Sequence, residues 1–331
     1  MSPVAMNPTF ESHLDPDWAT SAFVDDVRRG LTRRPLRVPP RWLYDDRGSE
    51  LFDQITRLAE YYPTEAERSI LEREASSIAE LTGADTIIEL GAGTSDKTHT
   101  LLRAFRSTGQ LQRFVPFDVS ESTLHQAAHQ LTSQYPGLRV HAVVGDFTLH
   151  LSRLPVDGTP MVAFLGSTIG NLYTEERRAF LSMLGEQLPP GGWLLLGVDL
   201  IKPVERLVTA YDDPKGVTAE FTRNLLTVIN RELGADFDTA AFDHVAMWDP
   251  LHHRMDLRLR VNGDHQVHIP GADLSLELHD GEEIHVEVST KFEIPAIATE
   301  ISAAGFQIRQ VWTDQAGDVA VILAAADRPS G

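Results

Sequence analysis

Three carboxylates, each near the end of an apolar run, are the residues from which chemistry could start. They are Glu89 in "TIIELGAGTSDKT", Asp118 in "RFVPFDV" and Asp146 in "VHAVVGDF". Glu89 is followed almost at once by Gly91-Ala92-Gly93, small residues where a strand turns into a helix. Glycine at such a turn lets backbone amides approach a ligand closely. Phosphate is the usual guest of such a loop, but the details disagree with it. A dinucleotide fingerprint wants a third glycine where this chain has Asp96, and a carboxylate there would face the pyrophosphate. A P-loop wants a glycine before its lysine, and only Lys97-Thr98 matches.

An acidic residue closing the first strand, followed by G-x-G, resembles instead the first motif of the class I S-adenosylmethionine (SAM) methyltransferases. SAM carries a sulfonium, an amino group and a carboxylate but no phosphate, so acidic surroundings are no obstacle. Asp118 then stands where a carboxylate accepts hydrogen bonds from both ribose hydroxyls. Gly145-Asp146-Phe147 offers a carboxylate to the adenine amino group and a ring to lie against the base. The "PPGG" turn at 189–192 is also typical of that fold.

The elements that must position these residues follow a regular alternation. Apolar strands are expected at 86–90, 113–119, 140–147, 161–168 and 192–200, separated by helices at 96–108, 121–133 and 174–188, with a short one near 148–153. Strands apolar nearly throughout suit a parallel sheet covered on both faces, the doubly wound α/β class, Rossmann-like. Upstream, a short helix is expected at 18–30. The pattern Leu51, Phe52, Ile55, Leu58 is helical until Pro63, and a further helix has Thr64 as N-cap, Glu67 completing a capping box and Gly83 past its end. Beyond residue 200 come helices interrupted by a loop, then antiparallel strands with turns at Asn262-Gly263 and Asp280-Gly281. A last helix ends at Gly305, and a closing hairpin completes the sheet. The architecture is therefore discontinuous: a methyltransferase domain from 65–200 plus 290–331, and a second, α+β substrate domain from 1–64 plus 201–289.

Composition narrows the classes. The chain has 331 residues, enough for two ordinary domains, and no cysteine, which excludes disulfides, thiolate catalysis and Cys-based zinc. Its formal net charge of −19 and scattered basic residues argue against a nucleic-acid partner; the only dense basic segment, 28–37, is proline-rich. The start lacks the pattern of a signal peptide, and no apolar run approaches the ~20 residues of a membrane span. A soluble, cytoplasmic, monomeric protein is expected. Thirteen histidines invite a metal reading, but none falls in a motif such as H-E-x-x-H, and no metal is expected.

At "RWLYDDRGSELFDQITRLAEYYPTEAE" the chain becomes specific. Together with "FLGSTIGNL", "AYDDPKGVTAEFTRNLL", "NRELGADFD" and "GEEIHVEVSTKF", this stretch resembles the histidine Nα-methyltransferases of ergothioneine biosynthesis, in one register from about 20 to 324. The resemblance implies three methyl transfers from SAM to the α-amino nitrogen of L-histidine, giving hercynine and S-adenosylhomocysteine. It implies Gly91, Lys97, Asp118, Asp146 and Phe147 on the cofactor side, with Lys97 at the methionyl carboxylate. On the substrate side it implies Tyr44, Tyr61, Gly166, Asn171, Tyr211, Glu287 and Ser289, drawn from both domains, with Tyr44 and Asn171 at the catalytic centre. Asn171 and Tyr211 would hold the α-carboxylate by neutral donors. Glu287 and Ser289, two apart on a strand, would address the imidazole nitrogens. Gly166 would leave room near the amino group, and Tyr44, directly or through water, would hold that nitrogen. Leu257 stands where a methionine is expected and Thr290 where a cysteine is. The alternatives are an N-methyltransferase of another aromatic amino acid and a non-catalytic SAM-binding protein.

Overall fold

A computed structural model describes residues 7–14, 17–92 and 96–327, except for the side chain of Asp96; Gly93 of the glycine motif lies outside the described residues. The chain opens with β1 (Thr9–Ser12), α1 (Trp18–Leu31), β2 (Leu36–Arg37), α2 (Asp46–Ile55) and α3 (Tyr62–Thr82). The alternating region runs β3 (Thr86–Leu90), α4 (Asp96–Ser107), β4 (Arg113–Asp118), α5 (Glu121–Gln134), β5 (Arg139–Val144), β6 (Pro160–Phe164), α6 (Thr174–Gln187) and β7 (Trp193–Asp199). Then come α7 (Val204–Tyr211), α8 (Val217–Leu233), β8 (Phe242–Asp249), β9 (Arg254–Val261), β10 (His265–Ile269), β11 (Leu274–Leu278) and β12 (Glu283–Thr290). The chain closes with α9 (Ile294–Ala303), β13 (Phe306–Thr313) and β14 (Val319–Ala326).

The described residues form two compact units, one from 7–14, 65–92, 96–200 and 292–327, the other from 17–64 and 201–291. The first is built on an eight-stranded sheet in the order β1-β5-β4-β3-β6-β7-β14-β13. Every neighbouring pair from β1 to β7 is parallel, and β14 then runs antiparallel to both β7 and β13. This is the doubly wound, mostly parallel sheet that the sequence pattern predicts. Strands β3, β6 and β14 are buried along their whole length, as apolar runs covered on both faces must be. After β5 the chain returns to the other flank of β3, so the strand order reverses between β3 and β6. Crevices outside the carboxyl ends of strands form at such reversals.

The second unit packs α1, α2, α7 and α8 with a four-stranded sheet, β2-β12-β9-β8, and a separate β10–β11 hairpin. Only the β2–β12 pairing is parallel. Gly263 and Gly281 adopt φ of 82° and 79°, the left-handed conformation their turns require.

Three local differences from the sequence reading bear on the site. Residues Thr9–Ser12 extend the sheet of the first unit by pairing with β5, although they are exposed and carry no apolar pattern. Helix α3 begins at Tyr62, so Pro63 opens a helix as well as ending the preceding pattern, and Thr64 lies inside it. Strands β5 and β6 stop at Val144 and Phe164, so that Asp146, Phe147 and the whole Gly166–Asn171 segment lie on turns past the strand ends.

Candidate functional site

In the first unit the strand ends are stitched into one rim. The amide of Gly91 donates to the Phe117 carbonyl at 2.8 Å and that of Gly145 to the Asp118 carbonyl at 2.9 Å, joining the ends of β3, β4 and β5. Gly91 has φ of 68°, and a Cβ built there would meet nothing within 4 Å among the described residues. Backbone conformation, more than lack of space, therefore asks for glycine at this turn. Asp118 Oδ1 accepts from the Ser120 amide at 3.0 Å. Asp146 Oδ1 accepts from the Thr148 amide at 2.8 Å and hydroxyl at 2.6 Å, so both carboxylates are held by the turns that follow their strands. Phe147 stands edge-on to Phe164 at 5.2 Å and to Phe180 at 5.9 Å, which fixes its ring beside Asp146.

Lys97, in the first turn of α4, is held by a buried carboxylate. Its Nζ lies 2.5 Å from Oε2 of Glu67, a residue only 1% exposed. The same carboxylate accepts the Gly166 amide through both oxygens, at 2.8 and 3.0 Å. It also occupies the space above Gly197 in β7, where an added Cβ would fall 1.9 Å from Oε1. Glu67 thus ties the lysine of the cofactor set to the turn after β6. The capping-box role read from the sequence is replaced by this one. The available signal was its register, because Glu67 lies on the stripe formed by Ile70, Leu71 and Ile78, all buried, and a charge on such a stripe needs a partner.

Gly166 (φ 74°) is followed by Ser167 (φ 56°), a non-glycine residue in the left-handed region. The Ser167 hydroxyl accepts the Asp199 amide at 2.9 Å, a buried bond that holds this conformation. Thr168–Asn171 then form one 3-10 turn, which places Asn171 at its end, half-buried. Glu89 completes the rim. It is 3% exposed and takes the Thr98 hydroxyl at 2.6 Å. Burial pushes its carboxyl up to about 7, against the pull of the Thr98 hydrogen bond and the Lys97 charge.

In the second unit Tyr44 precedes α2, and the cap of that helix sets its place. Asp45 accepts from the Gly48 amide at 2.8 Å, from Asn224 Nδ2 at 2.7 Å and from Arg231 Nη1 at 2.8 Å. Burial works to raise the Asp45 carboxyl, and these donors outweigh it and hold it below the usual range. From Tyr44 an unbroken run of aromatic rings follows. Tyr44 meets Phe52 at 5.4 Å and Phe221 at 5.3 Å, Phe52 meets Tyr61 at 6.4 Å, and Tyr61 meets Tyr211 at 6.0 Å. Tyr211 is the last residue of α7. The next helix starts where Asp213 accepts the amides of Val217 and Thr218 at 3.1 and 2.8 Å, and those bonds hold its carboxyl low although burial opposes them.

The run ends in polar atoms. Tyr211 Oη lies 2.8 Å from Ser289 Oγ on β12, and Lys291 Nζ donates to both, at 2.6 and 2.7 Å. Lys291 was not foreseen, although it follows Glu287 and Ser289 at the same alternate spacing. Glu287 sits opposite Leu257 in the β12–β9 ladder and Ser289 opposite Met255. The structure therefore brings Tyr44, Tyr61, Tyr211 and Ser289 into one chain of contacts, with Glu287 next along the strand. A separate polar groove of about 360 Å³, lined by Arg68, Glu72, His99, Arg103 and Tyr135 among others, contains none of the expected site residues.

The donor set fits SAM. The described rim offers two anchored carboxylates and one aromatic edge beside the Lys97–Glu67 pair, an acidic arrangement poor for a pyrophosphate and compatible with a cationic sulfonium.

Comparison with known proteins gives four results. A family model described as "Histidine-specific methyltransferase, SAM-dependent" matches residues 23–326. The chain is 49% identical to the histidine N-alpha-methyltransferase of Mycobacterium tuberculosis, across 97% of this chain and 100% of that one. It is 48% identical to that of Mycolicibacterium smegmatis, across 96% and 99%. Ergothioneine biosynthesis protein 1 of Schizosaccharomyces pombe is 33% identical across 68% of this chain, which corresponds to 30% of that longer protein.

Proposed function

The chain belongs to the histidine-specific, SAM-dependent methyltransferases, and on that premise we propose that it trimethylates the α-amino group of L-histidine to hercynine, the opening step of ergothioneine biosynthesis. The near-full-length likeness to histidine N-alpha-methyltransferases carries this reading, since a shared fold alone would say nothing of the substrate.

Bound SAM supplies an electrophilic methyl carbon on a sulfonium. Gly91 and Lys97 address its methionyl end, Asp118 its ribose, and Asp146 with Phe147 its adenine. Asn171 and Gly166, on the turn after β6, serve the backbone end of the amino acid. In the other unit Tyr44 holds the reacting nitrogen, Tyr61 and Tyr211 line the approach, and Glu287 with Ser289 address the ring. The transfer is an in-line displacement, so the protein's task is to orient the amine and let it shed a proton before each transfer. An ordinary phenol stays protonated at neutral pH, so Tyr44 orients the lone pair and is not assigned the role of base. The run of aromatic faces from Tyr44 to Tyr211 suits a nitrogen that gains methyl groups and ends as a permanent cation.

The protein works as a cytoplasmic monomer on small molecules, with no nucleic-acid partner. Among the described residues no helix is long and apolar enough to cross a membrane. The test is incubation with SAM and L-histidine followed by mass spectrometry. Successive gains of one, two and three methyl groups on the α-nitrogen are expected. Absence of any methylated amino acid, histidine or other, overturns the reading in favour of a non-catalytic SAM-binding protein.

A further inference from the structure

The turn that carries Asp146 is held through its backbone as well as through its carboxylate. The Asp146 amide donates to His150 Nδ1 at 3.1 Å. The Asp146 carbonyl lies 3.2 Å from the same nitrogen, but it already accepts the amides of Leu149 and His150, at 3.0 and 2.8 Å. A carbonyl oxygen has two lone pairs, so Nδ1 is the acceptor and the imidazole carries its proton on Nε2. The His150 ring in turn lies beside the His13 ring, with centroids 6.1 Å apart and planes 21° from parallel.

Strand β1 sets His13 in that place. The His13 amide donates to the Val144 carbonyl at 2.9 Å, carrying the β1–β5 ladder one step past Ser12. Glu11 puts one carboxylate oxygen 3.3 Å from His13 Nε2 and the other 3.0 Å from His141 Nε2 in β5. Phe10, pointing the other way from the strand, stacks on His125 of α5 at 3.8 Å. Four residues with no apolar pattern are thus fastened to α5 on one side and to the turn after β5 on the other.

We propose that β1 belongs to the adenine end of the cofactor site. His13 packs the His150 imidazole so that Nδ1 takes the Asp146 amide, and the Asp146 carboxylate is thereby aimed at the adenine amino group. His13 and His150 are positioning residues that act through Asp146. The inference rests on the reading of Asp146 as the acceptor for that amino group. Thr148, which holds Asp146 Oδ1, belongs to the same turn and moves with it. Strand β1 belongs to the sheet, so the His13–His150 contact ties the turn to the sheet's frame.

The experiment is calorimetry on the full chain with two probes, S-adenosylhomocysteine and S-inosylhomocysteine, whose base has a carbonyl in place of the amino group. The parent should prefer the adenosyl probe about tenfold, because a carboxylate accepts from the amino group and finds only another acceptor in the carbonyl. His150→Phe keeps a ring beside His13 and loses the acceptor, and the preference should shrink to about threefold or less. His150→Asn, with an amide oxygen close to where Nδ1 stood, should retain about fivefold or more. His13→Ala should lower the preference about threefold in the parent and leave it unchanged in the His150→Asn background, where no ring remains to be packed.

A preference that stays near the parent's in either His150→Phe or His13→Ala overturns the proposal. Equal weakening of both probes overturns it too, since a role in folding alone would not distinguish the bases. Should His150→Phe fail to fold, His13→Ala, made on an edge strand, decides by itself with and without His150→Asn. A parent that binds both probes alike refutes the reading of Asp146 and the proposal with it. A parent that discriminates, with variants that discriminate as well, refutes the proposal alone.

Discussion

Glu67 is a residue whose removal should be felt in two places. Glu67→Gln keeps an acceptor for the Gly166 amide but leaves the Lys97 ammonium without its counter-charge, and breaking a buried pair in this way should cost on the order of 2–3 kcal/mol. Chemical denaturation measures that loss, and SAM titration should show weaker binding in parallel. A stability loss without an affinity loss would detach Glu67 from the cofactor site. Glu89 makes a prediction of opposite sign. Its folded carboxyl is raised from 4.5 to about 7, so the folded state holds this proton more tightly than the unfolded one. Its contribution is therefore fully present below about pH 4.5 and is lost as pH rises through about 7. Glu89→Gln should be more stable than the parent at pH 8 and little different near pH 4, as read from urea midpoints. Both residues were visible as carboxylates in the sequence, but only Glu89 was legible as part of a site. It ends a strand next to glycines, whereas the role of Glu67 depends on where a long helix crosses the sheet.

Among the elements, the sheet of the second unit carries a charged ladder that should set its acid limit. Asp256 in β9 is 1% exposed and accepts from His285 at 3.0 Å and Arg258 at 2.8 Å. Burial alone would raise its carboxyl, yet these partners bring it down to about 2. The stabilisation is complete above the unfolded value of 3.8 and is lost as pH falls toward 2. Asp256→Asn should remove about 2 kcal/mol at neutral pH and flatten this part of the acid titration, which circular dichroism would follow. The parallel strands were legible because buried strands of such a sheet are apolar at every position, and the hairpins because glycine marks their turns. Strand β1 was not legible. Its four residues are held by backbone pairing to β5, and that leaves no pattern in side chains. The strand ends were read too long at β5 and β6, because Phe147 and Leu165 prolong the apolar pattern into turns that backbone conformation, not hydrophobicity, decides.

For the whole molecule, the choice of substrate is the property to test. With histidine, tryptophan, tyrosine and phenylalanine in competition, histidine should dominate the methylated products. Glu287→Ala should cut its kcat/KM by about tenfold or more while changing that for the others little, because only histidine presents a ring N–H to an acceptor and a bare nitrogen beside it. An unchanged preference for histidine in the variant would remove Glu287 from the ring contact. Position 257, leucine where methionine was expected, lies directly across the ladder from Glu287 and is the natural second site to vary.

The order of the sheet also says something about how the chain is made. Strand β14 lies inside the sheet, between β7 and β13, yet among the described residues it is the last strand in chain order, made after both of its neighbours. Until it arrives, β7 waits as a bare apolar edge, the kind of surface that recruits other nascent chains. A premature stop just before Val319 should therefore yield insoluble polypeptide, however intact the upstream motifs, as sedimentation of the truncated chain would show.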